Sequence, residues 1–552
     1  MAMSGIELSF KFIGGLGMFL YGMNVMADGL EKSAGDKVKN LLGLLTNNRL
    51  LAVLVGAAIT GVIQSSSATT VMVVGFVNAG IMQLGQAVGV IMGANIGTTV
   101  TAWIVSMSEW GAFLKPEFLA PLVIGVCVFT ILFSKDEKKI TISEIGVGFG
   151  ILFIGLGFMS GAIGPYKDAP IFAKAFAVLG KNPLLGILAG TVVTGIIQSS
   201  SASVGILQTL AMNGVVNWNS AIFITLGQNI GTCVTAMISS IGASKTAKRA
   251  AVIHLLFNVI GAVVFGVIMF LFFLFNKKLA SSSINSVEIS IFHTIFNISN
   301  TLILLPFADK LVKLSGVMVK EETAEIEVVD EDQVALRHLD ERILESPSFA
   351  VENAILEVVH MGDVTLKNLE LSFEAAKEND TEKSARVHEN EIKINKMEKI
   401  ITEYLIKISN LSLSEKQHNI IKNLFYTVSD IERVGDHAEN IAEFGEYKKK
   451  NGIRFSDTAM EELNSIMKIV LESYKNAIHA RKEKDIQNIN IVLECEDKVD
   501  VMEKDLREKH IKRLSDGTCQ TGAGVAFLDI ISNLERISDH AQNIALYVKE
   551  EI

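Results

Sequence analysis

The sequence Gln-Ser-Ser-Ser-Ala occurs twice, each time inside a long apolar stretch, at residues 43–80 and 183–214. Residues 60–102 align without a gap with residues 194–236 and share 18 identities over 43 positions. Most identities fall in two blocks, TGxIQSSSA and GxNIGTxVTA. A polar break at membrane depth is tolerated only where it is buried in protein or lines a water-filled cavity. We therefore interpret both stretches as re-entrant helical hairpins.

Apolar segments long enough to cross a bilayer surround the two hairpins. About 20 apolar residues span the ~30 Å hydrocarbon core, and seven segments of this kind are present. They are residues 8–29, 85–108, 117–134, 143–164, 219–241, 250–275 and 288–308. Each repeat then holds one span, one hairpin and two further spans. Because three crossings are an odd number, the second copy must be inverted in the membrane, as in many secondary transporters.

The predicted fold is therefore all-α: a polytopic membrane protein with two inverted repeats, followed by a soluble helical domain. The membrane domain covers residues 1–314, an acidic linker residues 315–345, and the soluble domain residues 346–552. Within the membrane domain the predicted parts are repeat 1 (about 8–134), repeat 2 (about 143–275) and a last span (288–308).

The two parts differ in charge. The first 320 residues carry a net charge of +8 and the remaining 232 a net charge of −18, which places the first part in lipid and the second in water. With an external N-terminus, the inward loops hold thirteen Lys and Arg residues and the outward segments seven. The positive-inside rule therefore predicts a multi-pass protein of the cell membrane whose C-terminal domain is cytoplasmic.

The QSSS motifs are candidate anion-binding sites. Three consecutive hydroxyls and an amide supply hydrogen-bond donors and acceptors, and a helix that begins at the break adds free backbone N–H groups. Close packing of serines between helices is the alternative, but the same motif at the same position of both repeats favours a binding site. The candidate residues are Gln64, Ser65, Ser66, Ser67, Gln198, Ser199, Ser200 and Ser201.

The GxNIGT blocks at residues 93–98 and 227–232 are candidate cation sites. We expect their glycines to let the helix unwind, so that Asn and Thr oxygens and freed carbonyls face inward and suit Na⁺; glycine and threonine packing is the alternative. Residues 53–108 and 184–242 contain no Asp, Glu, Lys, Arg or His. Proton-coupled transporters usually need such a residue in the membrane, so Na⁺ is the expected coupling ion.

These doubled motifs resemble the type II sodium–phosphate cotransporter family over about residues 8–308. The resemblance implies inorganic phosphate as the substrate and Na⁺ as the driving ion. It also implies that the QSSS residues contact phosphate. The implied Na⁺ ligands are Asn95, Thr98, Thr99, Asn229 and Thr232.

The C-terminal part has an internal repeat of its own. Residues 432–442 match residues 535–545, and ENEIKINKME at 389–398 resembles ECEDKVDVME at 494–503. Helical periodicity predicts two tandem bundles, over residues 346–450 and 455–549. This part resembles PhoU-type domains of tandem three-helix bundles.

Carboxylates four residues apart share one helix face in each half of this domain. These are Glu432 with Asp436, and Glu535 with Asp539. The resemblance implies that they could hold a divalent or ferric metal ion, whereas a solvated acidic face is the alternative. His437 and His540 follow the aspartates and are expected to pack rather than to bind metal. The domain could also bind a cytoplasmic regulatory partner or form a homo-oligomer.

The expected function is secondary active, Na⁺-dependent symport of phosphate with a regulatory cytoplasmic domain. One alternative is a membrane-anchored phosphate-signalling regulator that has lost transport. Another is a transporter of a different oxyanion, or a phosphate exporter. No nucleophile–base set, P-loop or zinc motif is present in the sequence, so an enzyme is not expected, and neither is a nucleic-acid partner.

Overall fold

A computed structural model describes residues 5–43, 48–110, 116–166, 174–176, 178–179, 182–320 and 339–552. Over these residues the chain is helical and contains no β-strand. Two compact units divide the described chain. The first consists of the residues up to 320 together with Asp340–Ser348, and the second of Leu339 and Phe349–Ile552.

The first unit contains fourteen α-helices among its described residues. They are α1 (Gly5–Gly43), α2 (Arg49–Ile63), α3 (Ser66–Asn78), α4 (Leu84–Ser106), α5 (Pro116–Phe133), α6 (Glu137–Ile163), α7 (Pro183–Ile197), α8 (Ser200–Met212), α9 (Trp218–Gly231), α10 (Cys233–Ser239), α11 (Lys245–Phe275), α12 (Lys277–Ser281), α13 (Ser286–Leu304) and α14 (Ala308–Met318).

Seven segments of the described chain are long and apolar enough to cross a bilayer. They are Gly5–Ala34, Leu84–Glu109, Pro116–Phe133, Glu137–Tyr166, Trp218–Ser239, Lys245–Phe275 and Ser286–Met318. Each overlaps one predicted span, so the predicted polytopic membrane domain is confirmed. Large apolar side chains such as Phe118 and Phe275 are more than 80% exposed in the protein alone, because lipid is the solvent for that surface.

The two QSSS stretches fold as pairs of short helices, α2 with α3 and α7 with α8. Asn48 and Asn182 cap the first helix of each pair, because each side-chain oxygen accepts from two backbone N–H groups of the first turn. The Oγ1 atoms of Thr60 and Thr69 lie 3.0 Å apart across the first pair. Each pair is thus a helix–break–helix unit, which we continue to call a hairpin. That the hairpins are re-entrant, that they enter the membrane from opposite sides and that the second repeat is inverted stay predictions.

Glycines let the hairpins pack closely on the span that follows. A Cβ built on Gly93 of α4 would lie 2.0 Å from the carbonyl oxygen of Val53 in α2. The same holds in the second repeat, where a Cβ on Gly227 of α9 would lie 1.9 Å from the carbonyl oxygen of Ile187 in α7. Small residues at such crossings are typical of membrane helix packing. These close glycine contacts hold each hairpin against the GxNIGT block of its own repeat.

The second unit is built from six helices. They are α15 (Pro347–Glu378, which begins in the first unit), α16 (Thr381–Ser409), α17 (Glu415–Lys450), α18 (Asp457–Glu483), α19 (Ile486–Ser515) and α20 (Thr521–Glu551). Their order gives the two predicted three-helix bundles, which meet through α17 and α20. The predicted linker bounds differ from the structure, because α14 continues to Met318 and Asp340–Ser348 packs in the first unit. Residues 321–338 of that linker lie outside the described residues.

Candidate functional site

The tips of the two hairpins have the same backbone geometry. Gln64 and Gln198 end α2 and α7 in the left-handed conformation, with φ of 56° at both. A non-glycine residue rarely adopts this conformation outside functional or tightly constrained sites. Ser65 and Ser199 then cap α3 and α8, each accepting a backbone N–H three residues on. The polar break predicted in each apolar stretch is therefore a break between two helices.

The two tips meet inside the membrane unit. The hydroxyl oxygens of Ser66 and Ser200 lie 3.3 Å apart, although 134 positions separate them in the sequence. These serines are the first residues of α3 and α8, so two helix N-termini face one another. Both side chains are buried. Facing N-termini concentrate unpaired N–H groups and partial positive charge at one point, which suits an anion.

Thr101 of α4 joins the two motifs. Its hydroxyl donates to Oε1 of Gln64 over 3.0 Å, and the hydroxyl of Ser201 lies 3.4 Å from it. Thr101 was not singled out from the sequence, although it lies in the duplicated VTA block and could have been found there. The hydroxyl oxygen of its counterpart, Thr235, is buried without a hydrogen-bond partner.

The two halves of the site consequently differ. The tip of the first hairpin is tied down, because Gln64 is buried and bonded to Thr101. Gln198 at the second tip is exposed. In the described residues, therefore, one hairpin tip is closed against its neighbours while the other is open.

The expected unwinding at the first GxNIGT block was wrong. Helix α4 runs unbroken through it, and Gly93 and Gly97 serve the close approach to α2 instead. The amide of Asn95 and the hydroxyls of Thr98 and Thr99 all donate to carbonyls of their own helix, at 2.7–3.0 Å. These three side chains therefore bond to the backbone of the unbroken α4.

The second block is interrupted, but by a single residue. Helix α9 ends at Gly231 and α10 begins at Cys233, with Thr232 between them. The Thr232 hydroxyl donates to the carbonyl oxygens of Gln228 and Asn229, and the Asn229 amide donates to that of Thr225. All five residues predicted to bind Na⁺ are buried. That role stays a prediction.

Sequence reasoning missed a third duplicated motif, HxxFN, at residues 254–258 in α11 and 293–297 in α13. Asn258 donates to the sulfur of Cys233 over 3.4 Å, which places α11 directly against the second GxNIGT block. Helix α13 contacts α4, where Trp103 donates to Thr294 over 2.9 Å. The amide oxygens of Asn258 and Asn297 are buried without a hydrogen-bond partner, which leaves acceptors available near both blocks.

In the first bundle, Glu432 and Asp436 share their helix face with an arginine, and their role as metal ligands stays a prediction. Arg433 lies 3.7 Å from Glu432 and 3.6 Å from Asp436. Glu391 of α16, which was not singled out, lies nearby and is buried. Burial and the repulsion of Asp436, Glu439 and Glu432 raise the pKa of Glu391 to about 8, so this carboxyl is largely protonated at neutral pH.

The second bundle does gather three carboxylates. One oxygen each of Glu496, Asp500 and Asp539 lie within 4.8 Å of one another; we call these three residues the carboxylate cluster. Burial, followed by the repulsion of Asp539 and Asp500, raises the pKa of the adjacent Glu535. Asn395 occupies the repeat position of Asp500 in the first bundle, which accounts for the difference between the bundles. The substitution of asparagine for aspartate is visible in the sequence, where ENEIKINKME aligns with ECEDKVDVME.

His437 of α17 and His540 of α20 lie where the two bundles meet. Their rings stack with centroids 5.7 Å apart. Nδ1 of His437 lies 2.8 Å from Oδ1 of Asn533, and Nδ1 of His540 lies 2.7 Å from Oδ1 of Asp430. These contacts agree with a packing role for both histidines.

The geometry can be compared with known proteins. A family model described as Na⁺/Pi-cotransporter matches residues 18–161 and 170–293. A Bacillus subtilis (strain 168) protein, "Uncharacterized protein YqeW", is 31% identical over 301 residues, which are 54% of this chain and 95% of that protein. The chain belongs to the Na⁺/Pi-cotransporter family. A PhoU domain model matches residues 358–445 and 463–548, so this family member carries PhoU domains at its C-terminal end.

Two further relatives of this Na⁺/Pi-cotransporter family member carry descriptive names. "Putative inorganic phosphate export protein YjbB" of Escherichia coli (strain K12) is 24% identical over 538 residues, 97% of this chain and 96% of that one. "Sodium-dependent phosphate transport protein 2A" of Rattus norvegicus is 33% identical over 103 residues, 18% of this chain and 16% of that one. The predicted resemblance is confirmed, and the family is one of transporters rather than enzymes.

Proposed function

We propose that this chain transports inorganic phosphate by symport with Na⁺, with the two QSSS tips as the phosphate site. The observation that carries the proposal is the meeting of Ser66 and Ser200 at 3.3 Å, each at the N-terminus of its helix. Free N–H groups of α3 and α8 and the serine hydroxyls would donate to the phosphate oxygens. No cationic side chain of residues 53–108 or 184–242 can offset the charge, and a buried unpaired charge is costly. Bound Na⁺ ions would supply the balance.

The proposed Na⁺ ligands lie on the helices behind the tips. The amide nitrogens of Asn95 and Asn229 donate to their own helices, and their amide oxygens are the atoms proposed to bind the ion. Asn258 and Asn297 would add the unpartnered oxygens described above. Neutral oxygens of this kind suit a monovalent cation, as in other transporters. In the proposed orientation the N-terminus is external, the PhoU domains are cytoplasmic, and the two hairpins enter from opposite faces.

Export is the second candidate, favoured by the name of the E. coli relative, which matches over nearly the whole length. Both functions would use the same phosphate site. Symport requires Na⁺ and follows the Na⁺ gradient, whereas Na⁺-independent export does neither.

Phosphate flux in proteoliposomes will distinguish symport from export. We expect radiolabelled phosphate uptake to fall about tenfold or more when external Na⁺ is replaced by K⁺, and flux to reverse when the Na⁺ gradient is reversed. Each comparison must hold the concentration of the phosphate dianion constant, since pH changes phosphate speciation. Equal uptake in Na⁺ and K⁺ would contradict symport, and outward flux independent of Na⁺ would favour export.

We further propose that the carboxylate cluster of the second bundle binds a divalent or ferric cation, through which the PhoU domains regulate flux. Three carboxylates converge there from α19 and α20. A hard cation, which prefers oxygen ligands, would relieve their mutual repulsion. The first bundle serves as the comparison for metal binding. Arg433 lies beside its carboxylates, and Asn395 stands where the second bundle has Asp500.

Titration of the full chain with Mn²⁺, followed by electron paramagnetic resonance, tests this site. We expect Asp500→Asn to weaken Mn²⁺ binding about tenfold or more, because it removes one of three charged ligands. Glu432→Gln is the matched control in the first bundle and should leave binding unchanged. No Mn²⁺ binding to the wild type, or an equal loss in both variants, would contradict the proposal.

A further inference from the structure

The segment Asp340–Ser348 begins within the predicted acidic linker yet packs with the membrane helices in the first unit. A 3₁₀ turn over Glu341–Glu345 lies against the end of α3, at the base of the first hairpin. Ile343 is fully buried there. A Cβ built on Gly75 of α3 would lie 3.0 Å from Cβ of Arg342 and 3.2 Å from Cγ1 of Ile343. The absence of a side chain at Gly75 is thus what admits the segment.

Asn78 bridges this segment and the second repeat. Its amide nitrogen donates to Asp340 over 2.6 Å, and its amide oxygen accepts the backbone N–H of Ser244 over 2.8 Å. Ser244 lies in the turn between α10 and α11, which belongs to repeat 2. One side chain of the first hairpin therefore holds both the segment and the opposite repeat.

Arg342 makes the second bridge. Its guanidinium donates to the carbonyl oxygens of Ser239 over 2.7 Å and of Ile241 over 3.3 Å, at the end of α10. Asp340, whose side chain is 5% exposed, pairs with Arg342 at 2.8 Å and holds it in place. Charge-assisted bonds of this kind are stronger than neutral ones. The segment thereby ties α3 of repeat 1 to α10 of repeat 2.

A third contact fixes the point at which the segment becomes the C-terminal domain. The hydroxyl of Ser346 donates to the carboxylate of Glu31 in α1, and the backbone N–H of Ser348 bonds to the same carboxylate. Helix α15 begins at Pro347, so Glu31 lies at the N-terminus of that helix, where a carboxylate is stabilising. The C-terminal end of the segment is therefore held against α1, within the first unit.

We propose that Asp340–Ser348 is a latch that holds the two repeats together at the base of the first hairpin and so slows transport. Alternating access in inverted-repeat transporters requires the repeats to move against one another. With the latch docked, the first tip is closed and Gln64 is buried. Because the latch continues without interruption into α15, a change of state in the PhoU domains can pull it away. This inference rests on the proposed transport function.

Docking and flux can be measured separately. Gly75→Leu would place a side chain where the latch lies while favouring the helix. Gly125→Leu is the matched control, because a Cβ at Gly125 of α5 meets nothing within 4 Å. We expect hydrogen exchange of residues 340–348 in the full chain to speed up in Gly75→Leu alone. We expect its initial phosphate flux to rise about threefold or more, with the half-saturating phosphate concentration unchanged.

The converse variant locks the latch. Gly75→Cys with Arg342→Cys brings two Cβ atoms to about the separation of a disulfide after a shift of a few tenths of an ångström. Oxidation should suppress flux and reductant should restore it, whereas the two single variants should respond to neither.

Two outcomes would overturn the latch: unchanged exchange of residues 340–348 in Gly75→Leu, or faster exchange without faster flux. Absence of phosphate flux in the wild type and in Gly125→Leu would overturn the proposed function, and the role of the latch in transport with it. The exchange measurement would then still report docking.

Discussion

Replacing Ser66 or Ser200 with alanine is expected to raise the half-saturating phosphate concentration about ten- to a hundredfold while the protein still folds. Each change removes one hydroxyl that would donate to a phosphate oxygen, and a hydrogen bond to a charged ligand contributes about 1.5–3 kcal/mol. The two hydroxyls lie 3.3 Å apart at the point where the hairpin tips meet. Flux measured over a range of phosphate concentrations at saturating Na⁺ gives the result.

Ser106→Ala is the matched control for both variants. Ser106 is also a buried membrane serine, but its hydroxyl donates to the carbonyl of Trp103 within its own helix. Its removal should leave phosphate affinity unchanged. If Ser66→Ala and Ser200→Ala behave like Ser106→Ala, the tip serines are packing residues and the phosphate site lies elsewhere.

Gly227→Ala is expected to have the largest effect on folding. The added Cβ would lie 1.9 Å from the carbonyl oxygen of Ile187, which no rotamer change can relieve because the obstacle is backbone. Overpacking a well-packed interior costs about 1–3 kcal/mol and more where the backbone must move. Helices α7 and α9 must then separate, and the second hairpin loses its support. We expect a fall in thermal stability in detergent and a loss of flux.

The control for this change is Gly125→Ala, since a Cβ there meets nothing within 4 Å. Gly93→Ala should reproduce the defect in the first repeat, where the Cβ would lie 2.0 Å from the Val53 carbonyl oxygen. Normal stability of Gly227→Ala would mean that α7 and α9 can move apart without cost.

Repetition made much of this architecture predictable. The doubled QSSS and GxNIGT blocks predicted two repeats, and the apolar lengths predicted seven spans, each of which overlaps a described helical segment long and apolar enough to cross a bilayer. Both signals are local: a span needs a minimum apolar length, and a helix breaks where capping residues follow a polar interruption. The PhoU repeat was equally visible, because helix period and motif recur along the chain.

Patterns within one segment did not predict the structure where it depends on a contact between two segments. The glycines of the GxNIGT blocks suggested unwinding, but whether a glycine loosens a helix or admits a neighbour depends on that neighbour. The backbone of Val53 lies directly opposite Gly93, and α4 stays wound through the first block. Ile187 lies opposite Gly227 in the same way, and the second block is interrupted only at Thr232. The carboxylate cluster likewise needed α19 to supply Glu496 and Asp500 beside Asp539, because one helix face offers too few ligands.

The sequence by itself determined the helical membrane class, the two repeats and the absence of charged residues around both QSSS motifs, because these depend on composition and on spacing within one segment. Tertiary structure alone decided that Ser66 meets Ser200 and that Thr101 closes one tip. It also decided that Asp340–Ser348 returns to the first hairpin. Most of these contacts join residues more than a hundred positions apart in the chain. Thr101 and Gln64 are thirty-seven positions apart. Their partners are set by the packing of whole helices, which no local pattern encodes.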